Sequence, residues 1–91
     1  MKIINRWNYK THKYDEIKYD DKKYNYQYFC NNMDEKINCP HCNKELKFGD
    51  SYTSLEFHTP ITGFGYGVCE KCYMEERKER YKNKKKECEY V

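Results

Sequence analysis

The sequence predicts a small α+β protein in which an antiparallel β region is followed by one C-terminal helix. Residues 51–58 alternate between apolar and polar side chains, as in a β-strand, and residues 64–68 form a short glycine-rich stretch of the same kind. A Pro- and Gly-containing loop at 59–63 separates them, which predicts a β-hairpin. Residues 69–86 contain neither Gly nor Pro and consist mainly of strong helix formers, so they are predicted to form the helix.

The first 38 residues also lack Gly and Pro, and they are rich in tyrosine. Two stretches alternate, 3–9 and 23–29, and each is predicted to be a strand. The second stretch would place three tyrosines on one strand face: Tyr24, Tyr26 and Tyr28. We therefore expect a Tyr-rich N-terminal β segment (1–38) packed on a C-terminal unit (39–91), the two forming one domain.

The apolar core of such a chain is thin. Only 13 of the 91 residues are Ile, Leu, Val or Phe, and 36% of the residues are charged, although 11 tyrosines add aromatic surface. Small proteins with thin cores usually need a metal ion or disulfides to fold. This composition argues against a multi-domain enzyme and a large preformed substrate pocket. The sequence contains no apolar run of about 18 residues and no signal peptide, so we expect a cytoplasmic protein that binds no membrane.

Two C-x-x-C pairs supply the predicted metal site. Cys39-Pro-His-Cys42 and Cys69-Glu-Lys-Cys72 are separated by 26 residues, and this pattern is typical of zinc sites. A tight turn would bring the first two sulfurs together, with Asn43 in the left-handed conformation that asparagine tolerates. The second pair has the i, i+3 spacing of one helical turn. We predict one structural Zn2+ per chain; reduced buried cysteines, two disulfides and bound iron are the alternatives.

These residues resemble a treble-clef zinc finger, in which a zinc-binding turn is followed by a β-hairpin and a helix that carries the second ligand pair. The resemblance covers residues 39–82, and the helix after Cys72 favours it over a zinc ribbon. The stretches 48–52 and 63–73 also look like small uncharacterised proteins of low-GC bacteria and their phages. That second resemblance implies no activity.

A catalytic role is not expected. Four thiolates close the coordination shell of zinc, whereas catalytic zinc keeps a position for water. The resemblance brings HNH nucleases into consideration, but they need a histidine on the helix, and no histidine follows His58. His41 is expected to face solvent, and His58 is expected to be a surface or loop-anchoring residue.

The predicted function is a protein-interaction adaptor or inhibitor of bacterial or phage origin. The net charge is +3 and would fall to about +1 with four thiolates around one Zn2+, which is unlike a strong nucleic-acid binder. A protein partner or self-association is expected, with no small-molecule substrate. The tyrosines are interpreted as core residues, as a protein interface or as residues that stack on nucleotides. The alternative function is a nucleic-acid-binding accessory protein that uses helix 73–86 and the tyrosines. The candidate contact residues are Tyr24, Tyr26, Tyr28, Arg77 and Arg80.

Overall fold

A computed structural model of the chain describes the backbone of residues 2–88 and the side chains of residues 2–82, and it confirms the α+β class. Within these residues it contains six strands, one 3-10 turn at Phe48–Asp50 and one helix. The strands and the helix are β1 Lys2–Asn8, β2 Lys13–Tyr19, β3 Lys36–Asn38, β4 Glu45–Lys47, β5 Tyr52–His58, β6 Gly65–Val68 and α1 Glu70–Cys88. No helix within residues 2–88 is long and apolar enough to cross a membrane.

The larger sheet has four antiparallel strands in the order β2-β1-β5-β6. The predicted strand at 3–9 is confirmed as β1, whereas the sequence analysis missed its partner β2. These two strands form a hairpin whose register runs from Lys2↔Tyr19 to Asn8↔Lys13. β1 also pairs with β5, at Arg6↔Phe57. The N-terminal hairpin and the predicted C-terminal hairpin therefore share one sheet.

The predicted strand at 23–29 is wrong. This segment is irregular, and its backbone bonds to two different elements instead of one partner strand. The carbonyl of Asn25 accepts a hydrogen bond from the N–H of Asn38 in β3, and the carbonyl of Gln27 accepts one from the N–H of Gly67 in β6. As a result the tyrosines do not share one face. Tyr26 is buried, Tyr24 is half-buried and Tyr28 is exposed.

The second sheet is the short hairpin β3–β4, which the sequence analysis also missed. It holds a turn of residues 39–44, called the cysteine turn below. The Cys39 N–H donates to the Lys44 carbonyl at 2.9 Å, and the Asn43 N–H donates to the Cys39 carbonyl at 2.8 Å. Asn43 has φ +62°, which confirms its expected left-handed conformation.

Two small cores fill the molecule. The first consists of Ile4, Tyr26, Phe57 and Tyr66, with further tyrosines packed around it, so tyrosine does supply much of the missing apolar core. The hydroxyl group of Tyr26 is buried there and has no hydrogen-bond partner among the described residues. The second core is centred on Cys39, Val68 and Cys69, next to the cysteine turn.

Strand β5 departs from simple alternation. The adjacent residues Glu56 and Phe57 are both buried and Leu55 is half-buried, so the apolar side chains do not occupy a single buried face. Ser54 Oγ accepts the N–H groups of Glu56 at 3.1 Å and Phe57 at 2.7 Å, so these groups bond locally within β5. The pairing of β5 with β6 is irregular between Thr53 and His58, which accords with a bulge there, and α1 packs against β5.

Candidate metal centre

The four cysteines of the predicted zinc site lie together. Cys39 and Cys42 are in the cysteine turn, Cys69 directly precedes α1, and Cys72 is in the first turn of that helix. Their four sulfurs lie within 4.8 Å of one another, and the sulfurs of Cys42 and Cys69 are 3.7 Å apart. A tetrahedral zinc ion about 2.3 Å from each sulfur would hold the sulfurs about 3.8 Å apart. The cluster therefore has dimensions compatible with a zinc-binding site.

The environment of the sulfurs favours a bound cation. Burial raises the pKa of Cys39, although the backbone N–H groups of Cys69, Cys42 and His41 donate to its sulfur. Burial also raises the pKa of Cys72 far above its usual range, and the thiol of Cys69 adds to the effect. Burial likewise opposes the ionisation of Cys69, but bonds from Cys72 outweigh it and lower the pKa of Cys69. Four thiolates are therefore unfavourable at this spacing unless a cation neutralises them.

The cysteine site is partly enclosed. Cys39 and Cys69 are buried, Cys72 is half-buried and Cys42 is exposed, and these four are free rather than joined in disulfides. Four sulfur donors are the set found in closed structural zinc sites. The residues present thus fit a zinc ion that supports the fold.

No protein-family model, curated protein or solved structure matches this chain.

His41 does not face solvent, contrary to expectation. Its side chain is mostly covered, and its ring packs edge-on against Phe57 with the ring centroids 4.7 Å apart. Its Nε2 lies 2.7 Å from Oε2 of Glu76. The cysteine turn folds over β5 and α1, and the histidine between the two cysteines is thereby carried into the interior.

Glu76 is buried, whereas the other charged residues of α1 whose side chains the structure describes are exposed. Its side chain is only 1% exposed. Oε1 accepts the Leu55 N–H at 2.7 Å, and Oε2 accepts the Ser54 hydroxyl at 2.5 Å. A signal was available: Glu76 lies one helical turn after Cys72, so it belongs to the helix face that the cysteine site covers.

His58 anchors the end of β5 to the N-terminal hairpin. Its Nδ1 lies 2.9 Å from the hydroxyl of Tyr14 on β2, and the two rings pack edge to face. Burial lowers the pKa of His58, outweighing the backbone bond of Thr59 that acts in the opposite direction. This contact accords with the predicted anchoring role.

The candidate contact residues are dispersed in the structure. Tyr26 is 1% exposed, so it belongs to the core and must be removed from the predicted contact surface. Tyr24 is half-buried against the same core. Arg77 and Arg80 are exposed on α1.

Tyr28 belongs to a surface that the sequence analysis did not identify. It is 48% exposed and stacks on Phe64, which is 55% exposed, with ring centroids 6.1 Å apart. Phe29, 66% exposed, lines the same shallow cavity of about 450 Å³. Tyr28, Phe29 and Phe64 are called the aromatic patch below.

Proposed function

We propose that this protein is a non-enzymatic binding module stabilised by one structural Zn2+ held by Cys39, Cys42, Cys69 and Cys72. The close spacing of four sulfur donors, all within 4.8 Å of one another, supports the choice of zinc. The order of cysteine turn, hairpin and helix supports the treble-clef resemblance. Reduced cysteines suit the cytoplasm of a bacterium or a phage-infected bacterium.

The proposed partner is a protein that binds the aromatic patch. This proposal depends on one observation: three large aromatic side chains, each about half exposed or more, lie side by side around one cavity. Exposed clusters of this kind mark interaction sites, and aromatic residues are enriched at the centres of protein interfaces. Lys2 lines the same cavity beside the aromatic patch, and its charge suits the polar rim of such an interface.

The helix supports a protein partner better than a nucleic acid. Arg77 and Arg80 alternate along α1 with Glu75 and Glu79, so the exposed charges are mixed in sign. A phosphate backbone favours an unbroken basic surface, whereas mixed charges suit patterned recognition of a protein. In this proposal the two arginines contribute specificity around the patch and little of the affinity.

The test compares three tagged proteins as baits in the native cell: wild type, Phe64→Ser and Tyr81→Ser. Tyr81 is an exposed aromatic residue on α1, so it controls for the loss of a surface ring. We expect one protein to be retained by wild type and Tyr81→Ser and lost with Phe64→Ser. Self-association through the same patch would instead appear as a dimer that Phe64→Ser dissociates.

Two results would contradict the proposal. Equal retention of every partner by Phe64→Ser would exclude the aromatic patch. Sub-micromolar binding of DNA or RNA at about 150 mM salt, where the Debye length is about 8 Å, would favour the nucleic-acid alternative.

A further inference from the structure

A second cluster of potential ligands lies beside the cysteine site. Nε2 of His41 and carboxylate oxygens of Glu56 and Glu76 lie within 4.8 Å of one another. The three residues come from the cysteine turn, β5 and α1 respectively. We propose that this histidine–glutamate cluster binds a second divalent metal ion, distinct from the ion at the cysteines.

The charge balance of the cluster calls for another cation. Glu56 and Glu76 are 5% and 1% exposed, so two carboxylates are buried close together. Glu56 is paired with Arg6, whose Nε and Nη2 lie 2.8 Å and 2.7 Å from Oε2 of Glu56. Glu76 forms no ion pair with a lysine or arginine among residues 2–82, and Arg80, one helical turn away, is exposed. A buried carboxylate without a paired cation is costly.

The adjoining cavity is acidic as well. It has a volume of about 230 Å³, and its lining includes four glutamates but one arginine: Glu56, Glu75, Glu76, Glu79 and Arg6. Cys72 of the cysteine site, which is half-buried, also borders this cavity. Glu75 lies 3.9 Å from Lys78, and Glu79 lies 3.8 Å from Lys82. The excess negative charge at the cavity therefore comes from the buried pair Glu56 and Glu76.

The hydrogen bonds of the cluster leave room for a metal. Oε1 of Glu76 accepts one bond, from the Leu55 N–H, which leaves its second lone pair, whereas Oε2 contacts both the Ser54 hydroxyl and His41 Nε2. Such bonds orient a carboxylate in the way that outer-shell partners orient metal ligands. The two short contacts of Arg6 both fall on Oε2 of Glu56, which leaves Oε1 for a metal. The metal would replace the bond between His41 and Glu76.

The donor set defines the class of metal. One imidazole and two carboxylates suit Mn2+, Fe2+ or Zn2+ and are poor ligands for soft ions, whereas four thiolates select zinc over manganese. Three protein ligands also leave at least one coordination position for water. Mn2+ is therefore a probe that distinguishes the second site from the first.

The experiment adds Mn2+ to protein that already carries one zinc at the cysteines. Free Mn2+ is followed by electron paramagnetic resonance, and paramagnetic broadening is mapped by NMR. We expect one saturable Mn2+ per chain, with broadening centred on the His41 ring and on residues 54–57 and 76. Glu56→Gln and Glu76→Gln should each weaken binding at least tenfold, while Glu45→Gln, which removes an exposed charge elsewhere, should leave it unchanged.

The absence of saturable Mn2+ binding would overturn the proposal, and so would broadening that spares His41 or an unchanged affinity in Glu56→Gln. Each variant is checked for one retained zinc, which tests the cysteine site separately. If Glu76→Gln loses its fold, the wild-type broadening map and Glu56→Gln still decide the question.

Discussion

Replacing Glu76 by alanine should destabilise the protein by about 3–5 kcal/mol. The carboxylate accepts hydrogen bonds from His41, Ser54 and Leu55, and it is 1% exposed. Hydrogen bonds to charged groups contribute about 1.5–3 kcal/mol each, and a buried donor left without a partner costs about 1–3 kcal/mol. Relaxation of the residues around the deleted carboxylate, and water that enters the space, would recover part of this summed loss of free energy. The remainder is a large fraction of the roughly 5–15 kcal/mol that stabilises a typical domain.

Urea unfolding followed by far-UV circular dichroism, with one equivalent of zinc present, measures this loss. The matched control is Glu75→Ala on the same helix. Glu75 is exposed and lies 3.9 Å from Lys78, and such surface pairs contribute at most about 1 kcal/mol. If Glu76→Ala and Glu75→Ala unfold within about 1 kcal/mol of each other, Glu76 does not connect the cysteine turn, β5 and α1 as argued.

Three further changes test other parts of the structure. Cys72→Ser removes a ligand of the proposed zinc ion, and structural zinc contributes on the order of 10 kcal/mol to the folding of zinc-finger peptides, so circular dichroism should show a large loss of secondary structure, whereas Cys30→Ser should resemble wild type. Equal melting of the two variants would contradict a structural metal. Tyr26→Phe removes a buried hydroxyl without a described partner and should raise the free energy of unfolding by about 1 kcal/mol. A lower free energy of unfolding in urea denaturation would show that the hydroxyl has a hydrogen-bond partner. NMR titration of His58 should give a pKa below 6.5, because burial disfavours the charged imidazole. The folded state then binds fewer protons than the unfolded state, so the contribution of His58 to stability is lost as the pH falls through 6.5 towards the folded pKa. A pKa at or above 6.5 would refute the burial argument.

The cysteine cluster was predictable because its signal is local. Two C-x-x-C pairs, one in a turn and one at a helix start, restrict where four sulfurs can lie, and Asn43 marked the turn itself. The helix and the hairpin 52–68 followed from composition and alternation for the same reason. The formation of these elements depends mainly on neighbouring residues and little on residues distant in the sequence.

The remaining structure depends on contacts between distant segments. The stretch around Tyr26 alternates like a strand, but its backbone bonds are divided between β3 and β6, and alternation alone does not identify the partner. Alternation places Glu56 on the polar face of β5 together with Ser54, and the burial of this face depends on the distant helix α1, which packs against β5. The histidine–glutamate cluster unites three such segments, so no single window of sequence contains it.

The central claim is that Cys39, Cys42, Cys69 and Cys72 hold one structural zinc ion. Elemental analysis of protein exchanged into metal-free buffer tests it most directly, with Glu56→Gln included to exclude metal at the second cluster. Wild type and Glu56→Gln should each retain one zinc per chain, and Cys42→Ser should retain none. Wild-type protein without zinc, or Cys42→Ser with an undiminished zinc content, would contradict the claim.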